Sequence, residues 1–207
     1  MAPISTSFLF FSSPLKIIQY PHPTLRYQSK PLKRIDRSIK TIVAEMFERM
    51  YEARGIGLAA NQVDLPFQLF IINLEGDPAR GQERVFLNPV ISQPKGIAEE
   101  DEGCLSLAGI TAPVTRPQQI KITAYDLSGN LIEETASGLL ARALQHENDH
   151  LNGVLFIDRL TESSLLGIRD ELIDFEEAFQ SEQQTGEISS DQVILARLKE
   201  LQKEYCE

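Results

Sequence analysis

The sequence contains one short segment, HENDH at residues 146–150, whose residue types and spacing fit metal-dependent hydrolysis. His146 and His150 are four residues apart, so on a helix their side chains share one face and can bind the same cation. Glu147, between them, is placed to act as the base that activates water. Two of the chain's three histidines lie in this segment. The pattern therefore indicates a catalytic metal site.

Spacing alone leaves the third ligand open, because a catalytic metal usually has three protein ligands. Metzincins need a third histidine six residues after His150, but Phe156 occupies that position. A thermolysin-like peptidase would use a glutamate further downstream, and Glu171 is available. A soft donor is also present in Cys104, within EGCLS at residues 102–106. Alone, that segment favours an ordinary buried thiol beside a glycine.

A third segment, GIGLAANQ at residues 55–62, has two glycines and several small apolar residues. Glycines let the backbone approach a ligand closely. The segment lacks the Lys and Ser/Thr of a phosphate loop and the third glycine of a dinucleotide fingerprint. It predicts a tightly packed turn, in which Gln62 offers an amide hydrogen-bond donor.

The HENDH segment requires a helix, and the surrounding pattern predicts one from about residue 137 to residue 151. Leu139 and Ala143 continue the face of His146 and His150, so we expect this face to point inward. Apolar periodicity and the N-cap candidate Asp36 predict three further helices, at residues 36–54, 162–180 and 191–205.

β-Branched and aromatic runs predict strands at residues 15–20, 67–73, 85–91, 118–126 and 131–134. A Ser128-Gly129-Asn130 turn joins the last two strands in a hairpin. The order of elements predicts an α+β fold, with antiparallel β-sheets around a central metal-binding helix and a helical C-terminal extension. We expect a disordered tail at 1–14, a catalytic domain at 15–160 and the extension at 161–207.

Composition narrows the function classes further. The net charge of −10 argues against direct nucleic-acid binding, and no apolar run is long enough to span a membrane. Two cysteines and the absence of a recognisable export signal favour a reducing, cytoplasmic location. We expect the apolar stripes of the extension to pack on the domain, with dimerisation or ribosome contact as alternatives.

Together the three segments resemble the peptide deformylase family, which carries GφGφAAxQ, EGCxS and HExDH in this order. All three motifs are complete, and the resemblance spans about residues 15–160. It implies an enzyme that removes the N-formyl group from the formyl-methionine of newly synthesised polypeptides. It also implies one divalent ion, characteristically Fe²⁺, with Zn²⁺, Ni²⁺ or Co²⁺ possible in a purified sample.

The resemblance assigns a role to each motif residue. It implies that the metal ligands are Cys104, His146 and His150, with Glu147 as the acid/base. Gln62 and the backbone N–H of Leu105 would receive the oxyanion. The substrate would lie as an added strand beside the backbone of Ile56, Gly57 and Gly103. Leu139 and Ala143 are candidates for the methionine pocket.

Three details stay open. Arg116 either pairs with Glu102 and braces the cysteine segment or is a surface arginine. Asp149 either supports the site from behind the histidines or is a surface charge. The chain departs from the family pattern at Leu107-Ala108-Gly109, where most bacterial members have an apolar residue and then proline, so the substrate-facing loop there can follow a different path.

Two other functions compete with deformylation. One is a metallopeptidase that uses Glu171 as third ligand. The other is a binding protein that keeps a structural metal and recognises N-termini without hydrolysis. The intact Glu147 and Gln62 argue against the second, because a purely structural site requires neither.

Overall fold

The computed structural model describes residues 14–207, so the predicted tail lies outside the described residues except for Pro14. The described part contains five α-helices: α1 (Arg37–Glu52), α2 (Gly138–Leu151), α3 (Glu162–Gly167), α4 (Arg169–Thr185) and α5 (Asp191–Cys206). Its strands are β1 (Gly57–Ala59), β2 (Leu69–Ile72), β3 (Arg84–Lys95), β4 (Ala98–Cys104), β5 (Leu107–Arg116), β6 (Gln119–Tyr125) and β7 (Leu131–Ser137). Short 3₁₀ turns occur at Pro23–Arg26, Ala60–Val63 and Phe156–Arg159.

The strands form two antiparallel sheets. Five of them pair in the order β1-β2-β3-β6-β7, and β4 and β5 form a separate hairpin. The predicted α+β fold with antiparallel sheets, a central helix and a helical C-terminal region is therefore confirmed.

The five-stranded sheet lies between α1 and α2, as strand β2 shows. Leu69 and Ile71 pack in the cluster that contains the apolar face of α1, whereas Phe70 and Ile72 pack in the cluster that contains α2. Successive side chains of a strand point to opposite faces, so a continuous apolar strand serves both helices. The sheet thus holds α2, with its two histidines, in the middle of the molecule.

Two local predictions are confirmed: the helix cap at Asp36 and the turn between β6 and β7. The carboxylate of Asp36 accepts hydrogen bonds from the backbone N–H groups of Ser38 and Ile39, which caps α1. In the β6–β7 turn, Asp126 accepts from the N–H groups of Ser128 and Asn130, both at 2.8 Å. The turn is followed by β7, which runs directly into α2 at Gly138.

Several predicted strands are wrong in extent or kind. Residues 15–20 do not join a sheet, because Ile18 and Tyr20 donate to backbone carbonyls of two different segments, those of Gln62 and Ser106. The strand predicted at 67–73 is shorter and that at 85–91 is longer. Strands β1, β4 and β5 were not predicted.

The C-terminal extension packs on the domain, as expected. Its last helix buries Ile194, Leu198, Leu201 and Tyr205, and the last two belong to the same cluster as α1. The helix predicted at 162–180 is instead two helices, because the chain turns at Ile168 and buries that side chain against the β5 cluster. In the range 14–207 no helix is long and apolar enough to cross a membrane.

Candidate active site

Helix α2 positions the two histidines predicted to bind metal. His146 and His150 lie one helical turn apart, with ring centroids separated by 5.0 Å. The apolar side of the helix, including Leu144 and Leu151, packs on the five-stranded sheet. Both imidazoles consequently face the β4–β5 hairpin on the other side.

The hairpin supplies the third candidate ligand at the end of β4. The sulfur of Cys104 lies 3.2 Å from Nε2 of His150. The ligand atoms of Cys104, His146 and His150 all lie within 4.8 Å of one another. One thiolate and two imidazoles suit Zn²⁺ and Fe²⁺, so this donor set fits the metal that the resemblance implies.

A buried glutamate orients the first histidine. Nδ1 of His146 lies 3.0 Å from Oε2 of Glu102, so the N–H at this position donates and Nε2 is left for a metal. Burial raises the pKa of Glu102, but hydrogen bonds from Arg116 and His146 outweigh this effect and lower it to about 2. The carboxylate therefore stays ionised and keeps accepting.

Arg116 braces the cysteine strand, which is the first of the two alternatives left open by the sequence. Its Nε donates to Glu102 at 2.5 Å, and its Nη1 donates to Asp149 at 2.7 Å. Asp149 also accepts from Nε of Arg159 at 2.6 Å and is only 8% exposed. Asp149 is thus a buried partner behind the histidines and not a surface charge.

Glu147 faces the cleft from α2, although it is only 4% exposed. Burial raises the pKa of its carboxyl to about 7. A Cβ added at Gly57 would overlap its Oε1. Its Oε2 has no hydrogen-bond partner among the described residues. Glycine at position 57 thus makes room for a carboxyl group that is free to bind a ligand.

Gln62 is held beside the cysteine by the 3₁₀ turn that follows β1. Its Oε1 accepts from the N–H of Ala59 at 2.8 Å, and its Nε2 lies 3.4 Å from the sulfur of Cys104. Asn61 donates to the carbonyl of His150, which ties the turn to α2. The amide of Gln62 therefore points toward the group of predicted ligands.

A cleft of about 750 Å³ gives access to these groups. Its wall includes every residue proposed from the sequence to bind substrate: Ile56, Gly57, Gly103, Leu139 and Ala143. Leu139 is 51% exposed, so the predicted inward face of α2 becomes a cleft rim at its first turn. The Leu107-Ala108-Gly109 segment is the start of β5, and Ala108 and Gly109 also line the cleft.

Sequence reasoning missed two side chains near the site. Gln19 donates to the carbonyl of Leu105 at 3.1 Å, and Arg142 donates to Glu102 at 2.5 Å. Arg142 had a readable signal, because it lies four residues before His146 on the same helical face. Glu171 lies exposed on α4 and outside the group of three candidate ligands, so the structure gives no support to the metallopeptidase alternative.

Known proteins resemble this chain over nearly all of its described length. The family model for polypeptide deformylase matches residues 14–165. A peptide deformylase of Rhodopirellula baltica is 42% identical over 192 residues, which cover 93% of this chain and 96% of the relative. Peptide deformylase 1B, chloroplastic/mitochondrial, of Arabidopsis thaliana is 45% identical over 190 residues, which cover 91% of this chain and 68% of the relative.

Solved structures agree with the sequence comparisons. A plant peptide deformylase crystal structure superposes with a TM-score of 0.81 at 46% identity and covers 85% of this chain and 95% of that one. A peptide deformylase from Legionella pneumophila superposes with a TM-score of 0.74 at 38% identity, covering 81% and 98%. The chain therefore belongs to the polypeptide deformylase family, whose metal-dependent members remove the N-formyl group from nascent polypeptides.

Proposed function

We propose that this deformylase uses Cys104, His146 and His150 to hold one divalent ion and Glu147 to move the proton during hydrolysis. The observation that carries the proposal is the position of a buried carboxyl beside three ligand atoms that lie within 4.8 Å of one another. The substrate is the formyl-methionine end of a newly synthesised polypeptide.

The proposed ligands fit the metal chemistry that amide hydrolysis needs. When bound, a divalent ion polarises water and brings its pKa from about 15.7 toward about 7. We expect Fe²⁺ from the family resemblance, and the same donors also suit Zn²⁺, Ni²⁺ and Co²⁺. The sulfur of Cys104 accepts hydrogen bonds from Nε2 of Gln62 and the backbone N of Ser106, each at 3.4 Å, which help to hold it in place.

Glu147 acts as the acid/base. The carboxylate accepts a proton from the attacking water and later delivers it to the departing amine. A pKa of about 7 suits both steps at neutral pH, because either protonation state is readily reached. The buried Oε2 has no hydrogen-bond partner among the described residues, so it is free to accept a hydrogen bond from the water.

Gln62 and the backbone N–H of Leu105 stabilise the negative charge that develops on the formyl oxygen. Leu105 directly follows Cys104, and both residues line the cleft with Gln62. Losing one such donor typically costs a factor of about 10²–10³ in kcat.

The peptide lies between two strand edges. β1 is the outer strand of its sheet and β4 pairs on one side with β5, and Gly57 and Gly103 of these strands line the cleft. An extended substrate can therefore add its backbone beside Ile56, Gly57 and Gly103. The methionine side chain then lies against Leu139 and Ala143 on α2.

We also propose that the enzyme is cytoplasmic and that it contacts the ribosome. Low cysteine content supports the first. The plant relatives are named as chloroplastic or mitochondrial proteins, which makes an organelle the competing location. Fractionation of the source cells with an antibody to the chain separates the two.

The ligand assignment is tested by comparing Cys104→Ala with Glu171→Ala. Cys104→Ala should release the metal and abolish formate release from a formyl-Met tripeptide. Glu171→Ala should leave both unchanged, because Glu171 lies exposed on α4. Full activity and metal content in Cys104→Ala would contradict the proposed ligand set.

A further inference from the structure

We infer that Arg142 is a positioning residue that fixes the helix carrying His146 and His150 against the strand carrying Cys104. The inference rests on the proposed metal ligands and concerns how their spacing is set. Two ligands come from α2 and the third from β4, so the spacing depends on how these two elements are joined.

Arg142 joins α2 to both strands of the hairpin. It is only 8% exposed. Its Nη1 donates to Oε1 of Glu102 at 2.5 Å and to the carbonyl of Val114 at 3.0 Å. Its Nη2 donates to the carbonyl of Ala98 at 3.1 Å, and its Nε lies 3.2 Å from Glu100. The planar guanidinium thus bonds to β4 and β5 at the same time.

The carboxylate of Glu102 connects Arg142 to the first metal ligand. Its Oε1 accepts from Arg142, and its Oε2 lies 3.0 Å from Nδ1 of His146. Arg142 is one helical turn before His146, and Glu102 is two residues before Cys104. A shift of Arg142 would therefore move the imidazole relative to the sulfur.

Arg116 also donates to Glu102, but it does not replace this connection, because its bond to α2 is near the other end of the helix. It bonds to Asp149, near the last turn of the helix, whereas Arg142 lies in the second turn. Packing on the five-stranded sheet still holds α2 when Arg142 is replaced, but its second turn loses its bonds to both strands of the hairpin. The buried carbonyl of Val114 would also lose a donor.

The test uses Arg142→Met and Arg142→Lys, with Arg84→Met as matched control. Arg84 pairs with Glu134 at 2.5 Å and stacks on Phe86 in the five-stranded sheet, and it does not line the cleft. Each protein is loaded with Co²⁺ and transferred to excess chelator, and the retained cobalt is followed over time. Formate release from a formyl-Met tripeptide then gives kcat and KM separately.

We expect Arg142→Met to lose cobalt about 10- to 100-fold faster and to lose kcat by a similar factor, because residues that orient metal ligands have effects of this size. KM should stay within about twofold. Arg142→Lys should be intermediate, because it keeps the charge opposite Glu102 but lacks the planar fork. If Arg142→Met does not fold, cobalt retention and kcat of Arg142→Lys test the inference instead.

Cobalt retention and kcat equal to those of Arg84→Met, in either variant, would overturn the inference. A change in KM alone would also overturn it, because Arg142 would then only line the cleft. Cobalt retention needs no turnover, so it tests Arg142 separately from the reaction. Wild-type protein that releases no formate would contradict the proposed function and not this inference.

Discussion

The floor and the rim of the cleft are built in different ways. On the floor, Glu102 and Asp149 are buried and accept hydrogen bonds from arginines of other elements. On the rim, Leu139 is half-exposed and Ala108 is exposed. Buried charge pairs thus fix the geometry of the proposed chemistry, whereas substrate selection is left to side chains that can change at little cost to folding.

Among the substitutions on the floor, Arg116→Met should lower the unfolding free energy most. It removes one partner from both Glu102 and Asp149, and leaving buried charges underpaired costs about 3–5 kcal/mol of unfolding free energy. Chemical denaturation measures the loss. Arg84→Met removes a more exposed ion pair and should cost about 1 kcal/mol or less. Equal losses in the two variants would show that the buried network adds no special stability.

Gly57→Ala tests how closely the carboxylate of Glu147 packs against position 57. An added Cβ would overlap the carboxylate, lying 2.9 Å from its Cδ, so the carboxylate must move. Misplacing a catalytic group by about 1 Å can cost about 100-fold in rate, so we expect kcat to fall by about that factor with little change in KM. Gly167→Ala is the control, because open space surrounds that position. A fully active Gly57→Ala would contradict the close packing.

The pH dependence tests the state of the buried carboxyl. Burial raises the pKa of Glu147 to about 7, and the group must be ionised to accept a proton. Activity should therefore rise with pH and level off, falling about tenfold for each pH unit below the midpoint. A bound cation favours the carboxylate, so the midpoint lies at or below about pH 7. With metal content checked at each pH, a rate that falls as pH rises through this range would contradict the role.

Leu139→Ala should have the smallest effect on activity, and it should change substrate binding and not the chemical step. Half of this side chain is covered by the protein, so methionine contact with the rest contributes about 1 kcal/mol, or about fivefold in KM. Unfolding free energy should change by about 0.5 kcal/mol or less. Ile97→Ala is the matched control, because Ile97 is 74% exposed and does not line the cleft. A loss confined to kcat would place Leu139 with the floor.

The site was more predictable from the sequence than the strands around it. His146 and His150 are four residues apart, so helical geometry alone predicted their shared face, and Glu147 lies between them in the sequence. Cys104 is distant in sequence, and spacing left it as one of two candidates. The family resemblance assigned it to the site, and the structure brings its sulfur to His150.

The β4–β5 hairpin was missed for a physical reason. β4 carries four consecutive acidic residues, at 99–102, which lowers its apparent strand propensity, and only Glu102 among them is buried. β5 did offer a signal, because Ile110, Ala112 and Val114 alternate with exposed residues. Arg116 continues this buried alternation, and no local pattern reveals that its partners lie on β4 and α2.

The most direct test compares wild-type protein, prepared without oxygen, with Glu147→Gln, which keeps the shape of the side chain but cannot accept the proton. Formate release from a formyl-Met tripeptide is measured alongside metal content. We predict rapid release by the wild type and a loss of at least about 10³-fold in the variant at equal metal content, since general acid–base catalysis contributes up to about 10⁴-fold. Undiminished release by Glu147→Gln would contradict the central claim that Glu147 carries the proton.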